Sequence, residues 1–488
     1  MVKKNINSER YLENLENTTQ ISFDTSLKTR IAYCHGTLID TITPINWGFL
    51  GFTFYFAVVG LPIIYLTIAT IIFAFWDAFN DPIIGVISDR TKSRIGRRKI
   101  WLYVTSIPMA IIIILLWTPP LDASHFIIFI YYLVVIMVFD LVYTFYTVNI
   151  NALWPEMFLT TEERTNIGFW RNIFMIIAVA LAYLVPGLII EDMANRRDLP
   201  QTPTQYLVSG ITIAVIVFIS FIILLKWGVF ERKEFAQDVE KAPKLLDSFK
   251  ITLKNKAFVL YCIVQLCVYC VYGILLTIMP LYGTFVLGLA EENSFLIGLL
   301  VFACLIIGVL STPMWIFLQK KYGIRKIFMI CMGYWAISLL LFITATDILT
   351  AFLFIAIMGP GLGGAIYFYD QGMAEIIDDD SVRTGLDVRR EGAYYGVSAL
   401  FNRFAGIFNI LVISFIFTQT GWGQYDPNPG VDVILGLRFL MGIYPLFIIS
   451  VALLCLYLYP IHGKRLDENK IMLAEQRAKK QRELSTSF

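Results

Sequence analysis

DAFNDPIIGVISDRTKSRIGRRK, residues 77–99, follows directly on the apolar run LPIIYLTIATIIFAFW at 61–76. That run is of the kind that sits in lipid. It passes into two carboxylates four positions apart, Asp77 and Asp81, with Pro82 behind the second. At i and i+4 the two acids share one helix face, about 6 Å apart along the axis. An ionisable residue inside a membrane span is costly and is a functional candidate by default. The rest of the chain has to supply the reason for a pair of them.

Composition points the same way. The 488 residues are 57% hydrophobic and only 16% charged, with mean hydropathy +0.69. Soluble domains carry about 25% charged residues, so a single polytopic membrane body is expected. The net charge of +2 gives no reason to expect a nucleic-acid partner. The seven cysteines (34, 262, 267, 270, 304, 331, 455) fall in apolar segments without metal or secreted-type spacing. They read as small residues packing in helices. Residues 1–30 are polar and lack the apolar region of a cleaved signal peptide.

Apolar segments long enough to span, about 20 residues each, recur twelve times. They lie at 31–58, 62–88, 98–118, 124–153, 166–190, 206–229, 257–286, 294–319, 323–345, 348–376, 391–418 and 434–460. The fold class expected is an all-α polytopic membrane protein with twelve transmembrane helices in two six-helix halves. Its expected parts are a cytoplasmic tail at 1–30, a bundle at 31–229 and a cytoplasmic middle loop at 230–256. A second bundle at 257–460 and a tail at 461–488 complete it. With both termini in the cytoplasm, 33 of the 39 Lys and Arg residues fall on inner segments, as the positive-inside rule requires. The middle loop reads as amphipathic, fit to lie along the inner surface. The inner loop SDRTKSRIGRRK after span two has a counterpart, QKKYGIRKIF, after span eight. Repeated halves with a site between them at mid-membrane are a transporter architecture.

The ionisable residues within spans are few: Asp40, Asp77, Asp81, Asp140, Arg171, Asp370, Glu375 and Arg403. Asp77 and Asp81 form the most specific constellation. Asn80 adds an amide oxygen, and Pro82 cannot donate to the carbonyl of Ala78, which frees a further oxygen. Two carboxylates this close in low dielectric either share a proton, hold a cation between them, or pair with basic residues. Arg171 and Arg403 are the available bases, and a hybrid in which they hold the empty site until a cation displaces them is attractive. Oxygen ligation suits a hard cation, with Na⁺, Li⁺ and H⁺ open. Near the expected cavity stand Asp40, Thr41, Trp47, Tyr143, Thr147, Asn149, Asn151, Tyr367, Asp370, Tyr395 and Asn402. Hydroxyls, amides and rings of this kind suit a sugar, though many aromatics in such a chain face lipid or its interface.

WDAFNDPIIGVISDRTKSRIGRRKIW (76–101) resembles the span-two signature of the glycoside–pentoside–hexuronide:cation symporters, the melibiose permease family of the major facilitator superfamily. YTFYTVNINALWPEM (143–157) resembles that family's span-four ending, and DDDSVRTGLDVRREGAYYGVSALFNRFAG (378–406) its loop into span eleven. The resemblance implies a cation site at Asp77, Asn80, Asp81 and Thr144, with Arg171 matching a basic residue on span five. Arg403 stands where the family has a lysine linking the cation and sugar sites. Gly85, Asp89, Arg90, Gly96 and Arg97 fit the superfamily's inner-loop signature and imply a cytoplasmic gating latch. The sugar clamp departs from the pattern. Thr41 and Thr147 replace acids, with Asp40 beside the first, and Asn151 replaces a tryptophan.

The function implied is cation-coupled symport of a sugar or glycoside by alternating access. The alternative is cation-coupled transport of an anionic or lipid-like solute such as a hexuronate, sulfated sugar or lysolipid. No cofactor beyond the coupling ion is expected, and a monomer in the plasma membrane is. An enzyme would need a nucleophile–base set, a metal cluster or a nucleotide loop. The three histidines (35, 125, 462) are scattered near span ends, and no Gly-rich phosphate loop occurs.

Overall fold

The computed structural model describes residues 26–158, 161–194, 201–231, 252–289, 294–384, 391–463 and residues 465, 468, 469 and 472. The expected N-terminal tail, most of the middle loop and most of the C-terminal tail lie outside these residues. Twelve helical runs cross the described chain. The first six are α1 (Leu27–Thr53, continued as a π turn over Phe54–Val58), α2 (Ile63–Arg90), α3 (Lys99–Leu115), α4 (His125–Met157), α5 (Thr161–Ile189) and α6 (Thr202–Ile223). The second six are α7 (Lys256–Phe285), α8 (Ser294–Tyr322), α9 (Ile324–Leu340), α10 (Ile348–Thr384), α11 (Glu391–Gln419) and α12 (Val431–Leu458).

Helices are what such sequences must form in lipid, where every backbone N–H and C=O has to be satisfied within the segment. Their ends are fixed locally. Ser26 accepts from the Thr29 amide at 3.3 Å to start α1. Asn255 accepts from the Ala257 amide at 3.1 Å to start α7. The outward faces are apolar: Leu310 is 73% exposed, Ile337 69% and Leu349 78%. A soluble protein could not carry such a surface, and a lipid-facing belt requires it.

Helix packing repeats between the halves. In the first half α1 packs on α5 and α6, α4 on α2 and α3, and α3 on α6. The second half pairs the helices six places on in the same way: α7 with α11 and α12, α10 with α8 and α9, and α9 with α12. The halves meet along α1·α7, α2·α11 and α5·α8, and exchanging the halves maps this set onto itself. Lipid gives no hydrophobic drive for helix association, so close backbone approach at small residues does much of the holding. A Cβ on Gly363 of α10 would lie 2.0 Å from the Gly308 oxygen of α8. On Gly298 of α8 it would lie 2.2 Å from the Tyr183 oxygen of α5.

The face carrying Ser26, the α2–α3 turn and residue 463 is called the near face, and the opposite one the far face. The halves are sealed on the far face. There the Ile63 amide donates to the Gly423 carbonyl at 2.9 Å, Ser294 Oγ donates to the Glu191 carbonyl at 2.8 Å, and Tyr425 bonds the Ala194 carbonyl. Phe56 of the first half packs on Phe417 and Trp422 of the second at 5.1 and 5.3 Å. One buried apolar cluster therefore runs from Phe54–Val58 into the second half, while another stays within the first half around Tyr33, Tyr146 and Phe221.

Candidate functional site

At mid-depth, where α2 meets α11, Arg403 joins the halves. Its Nη1 lies 2.8 Å from Asp77 Oδ1, and its Nη2 bonds Asp81 Oδ2. A planar guanidinium with a fixed fork of donors suits two carboxylates presented one helical turn apart. From α4, Thr144 Oγ1 donates to Asp81 Oδ1 at 3.1 Å. Asn80 Nδ2 reaches Asp140 Oδ2 at 2.8 Å and Thr144 Oγ1 at 3.2 Å. Asn80, Thr144 and Asp140 are buried. The four residues expected at the cation site are thus together, with Arg403 as their counter-charge.

Asp140, read in the sequence only as an acid inside a span, joins this cluster. The signal that could have placed it is its spacing: Asp140 and Thr144 are i and i+4 on α4, facing the i, i+4 pair on α2. Among the described residues Arg403 is the base that Asp77 and Asp81 meet. Carboxylates and the Thr144 hydroxyl meet here, and the Asn80 amide turns its nitrogen toward them, not the oxygen expected from the sequence.

A second polar group lies where α1, α4 and α5 meet. Asp40 Oδ1 accepts from Thr147 Oγ1 at 2.8 Å and from Tyr143 OH at 3.0 Å. Asn151 Nδ2 donates to Thr147 Oγ1 at 3.1 Å. Thr41 is half-buried on the adjoining position of α1. Arg171, expected as a partner of the acids, is not at the Asp77–Asp81 cluster. Its Nε donates to Thr37 Oγ1 at 3.1 Å, and its guanidinium lies over the Trp154 ring at 5.3 Å. Among the described residues Arg171 has no carboxylate within ion-pair distance.

The other expected contacts are dispersed. Trp47 packs among Tyr55, Trp117 and Tyr132. Asn149 is fully buried, donating to the Phe145 carbonyl at 2.7 Å and bonded by Ser88, so it holds α2 against α4. Asn402 donates to Tyr369 OH at 3.0 Å, and its Oδ1 is buried without a partner. Tyr395 is 43% exposed near the start of α11. Asp370 lies on α10, with its side chain outside the description, as is that of Asp89 on α2.

At the near face the α2–α3 turn is clasped by two acids that sequence reading did not single out. Arg97 Nη2 bonds Glu156 Oε1 at 3.0 Å, and Arg98 Nη2 lies 3.1 Å from the same oxygen. Glu231, just beyond α6, accepts from the amides of Arg97, Arg98 and Lys99 at 3.2, 3.3 and 3.4 Å. It thereby caps the start of α3. Gly96 makes this possible: its φ is +117°, and a Cβ there would stand 2.0 Å from Glu231 Oε2. Of the remaining latch residues, Arg90 is exposed at the end of α2 and Gly85 half-buried within it.

Two six-helix halves with repeating packing, an ionic cluster where they meet and a seal on one face define a multi-pass membrane transporter of the major facilitator type. Residues 27–463 match the MFS/sugar transport protein family, and the chain belongs to it. An uncharacterized symporter of Synechocystis sp. is 24% identical over 89% of this chain and 94% of its own. A candidate sulfoquinovose importer of Salmonella typhimurium is 25% identical over 92% and 93%. The mouse sodium-dependent lysophosphatidylcholine symporter 1 is 22% identical over 81% and 78%. The crystal structure of the nucleoside transporter NupG shares the fold, with a TM-score of 0.62 at 14% identity over 88% of this chain and 100% of that one.

Proposed function

We propose that the protein is a cation-coupled symporter that carries a polar, sugar-sized solute between its halves by alternating access. The observation that carries this reading is Arg403 of one half bridging Asp77 and Asp81 of the other. A cation entering the seat replaces Arg403 as the counter-charge and breaks the link across the halves. Occupancy is thereby tied to conformation, and linkage requires solute and cation to strengthen each other's binding equally. The sodium dependence in the name of the mouse relative supports Na⁺ as the first ion to test, with Li⁺ and H⁺ beside it.

Asp40, Thr147, Tyr143 and Asn151 offer hydroxyl recognition, and Trp154 an aromatic face. The unpartnered Asn402 Oδ1 on α11 adds an acceptor from the second half. A second reading, an anionic solute, is favoured by Arg171. A guanidinium within a span that meets no carboxylate among the described residues is held ready for a sulfonate, carboxylate or phosphate. The names of two relatives, for sulfoquinovose and lysophosphatidylcholine, support it. The moving bodies are the bundles 31–229 and 257–460. The distribution of Lys and Arg makes the near face cytoplasmic in a cell membrane, with both termini there, so the far-sealed form is the inward-facing one.

The test needs no substrate. Thermal stability of wild type and Asp81→Asn is recorded against Na⁺, Li⁺ and choline at several pH values. Saturable stabilisation by Na⁺ or Li⁺ that disappears in the variant establishes the seat. Stability that tracks pH alone makes the carrier proton-coupled. A response to neither leaves Asp77, Asp81 and Arg403 as a structural ion cluster and overturns the proposal.

A further inference from the structure

The near-face ends of α8, α9 and α12 border an open cavity of about 420 Å³. Tyr322, Arg325, Lys326, Met329, Tyr457 and His462 are among its lining. Arg325 is fixed there by its donors: Nε bonds the Leu456 carbonyl at 2.9 Å, and Nη2 bonds that of Tyr457. It caps the last carbonyls of α12 while its charge stays at the cavity. Lys321 and Lys326 hold their ammonium groups 5.1 and 5.6 Å from the centre of the Tyr322 ring. Lys320 precedes them on the last turn of α8.

Among the described residues, none of Lys320, Lys321, Arg325 and Lys326 has a carboxylate within ion-pair distance. The equivalent turn of the first half is the reverse case, since Arg97 and Arg98 there are met by Glu156 and Glu231. The acid near the end of α10, Asp379, is not available either, because Arg465 takes both its oxygens at 2.9 and 2.7 Å. Partial desolvation and the neighbouring Arg325 hold the His462 imidazole below its ordinary pKa.

The cavity lies at the near-face ends of three apolar helices. Tyr457 and Leu458 beside it are 66% and 52% exposed at the end of a span, while Ile324, Met329 and Ile461 give it apolar lining. We propose that this cavity seats the phosphate of an anionic phospholipid from the near-face leaflet, with Lys326 and Lys321 as the mobile cationic contacts and Arg325 as the fixed one. Basic pockets between helices at a membrane surface recognise headgroups by this chemistry. The occupant is a lipid rather than a free anion because rings and aliphatic side chains line the cavity beside the charges.

The test compares thermal stability in phosphatidylcholine nanodiscs with that in discs containing phosphatidylglycerol. Wild type should melt higher in the anionic discs. Lys321→Gln with Lys326→Gln should lose most of that rise while melting as wild type does in phosphatidylcholine. The control pair Lys28→Gln with Lys226→Gln, near-face lysines of the other half, should keep it. Native mass spectrometry should show phosphatidylglycerol retained by wild type and lost from Lys326→Gln alone, which covers an unstable double variant. A rise unchanged in the double variant, or a lipid adduct kept by Lys326→Gln, overturns the proposal. So does an equal rise produced by inorganic phosphate in phosphatidylcholine discs, which would make the cavity a soluble-anion site. The cation response of Asp77 and Asp81, measured in the same discs, is independent of these lysines, so either reading can fail alone.

Discussion

Arg403 holds two carboxylates with one guanidinium, and removing the base differs from removing an acid. Arg403→Ala leaves Asp77 and Asp81 facing each other at mid-depth without their counter-charge. The expected loss in cation-free buffer is about 3 kcal/mol, the low end for breaking a buried pair, because Asp81 keeps 43% of its side chain exposed. Saturating coupling ion should restore a large part of it, and melting curves with and without Na⁺ read both numbers. Arg403→Lys keeps the charge but loses the fork. It should compete less well with the cation and raise the apparent cation affinity in the same assay. Arg171→Gln should lower solute uptake, or solute-dependent stabilisation, and leave the cation response unchanged. The candidacy of these residues was legible from charge lying within apolar runs. Charge and spacing left open which arginine meets the acids, since α5 and α11 could each lie beside α2, and only the family resemblance set Arg403 next to the cation site. Asn149 illustrates the converse. A polar residue inside a span reads as a site, yet this one is spent on binding two helices together.

Elements end where their hydrogen bonds end, which is not always where hydropathy falls. The sequence puts the tenth span at 348–376, whereas α10 runs to Thr384. The extra turns carry Asp378, Asp379 and Asp380, which a hydropathy reading excludes. Asp379 is nonetheless fully buried, gripped by Arg465 and by Asn469 at 2.8 Å. The α8·α10 crossing has a different requirement that sequence shows only as two ordinary glycines. Gly363→Ala places a methyl against the Gly308 backbone, which cannot move aside as a side chain would, so the helices must separate. A loss of about 1–3 kcal/mol is expected, read as a lower melting temperature. The α2–α3 turn is the softer case. Glu231→Ala removes the carboxylate cap of α3 and should cost about 0.5–2 kcal/mol, with faster amide exchange at Arg97–Lys99.

The whole molecule is held in one of its states by the far-face seal. Gly298 lies in that seal, against the Tyr183 carbonyl of the opposite half. Gly298→Ala should therefore loosen the halves there, and hydrogen–deuterium exchange should rise around Gly423 and Tyr425 while the near-face α2–α3 turn stays protected. Unchanged exchange at the far face would mean that the seal does not depend on this approach. Twelve helices with repeating packing were legible in the chain, ten of those described being long and apolar enough to span. The state was not, because the same residues must build both the sealed and the open far face.

The repeat that relates α2·α11 to α8·α5 also puts Arg403 and Arg171 on matching helices. Yet α8, unlike α2, contains no acidic residue. With one cation in the seat and an anionic group on Arg171, the charges carried would cancel. The membrane potential, worth about 2.3 kcal/mol per elementary charge per 100 mV, would then do no work on the loaded step. A neutral sugar would make the same step electrogenic. Current accompanying uptake would thus report the charge of the solute that Arg171 meets.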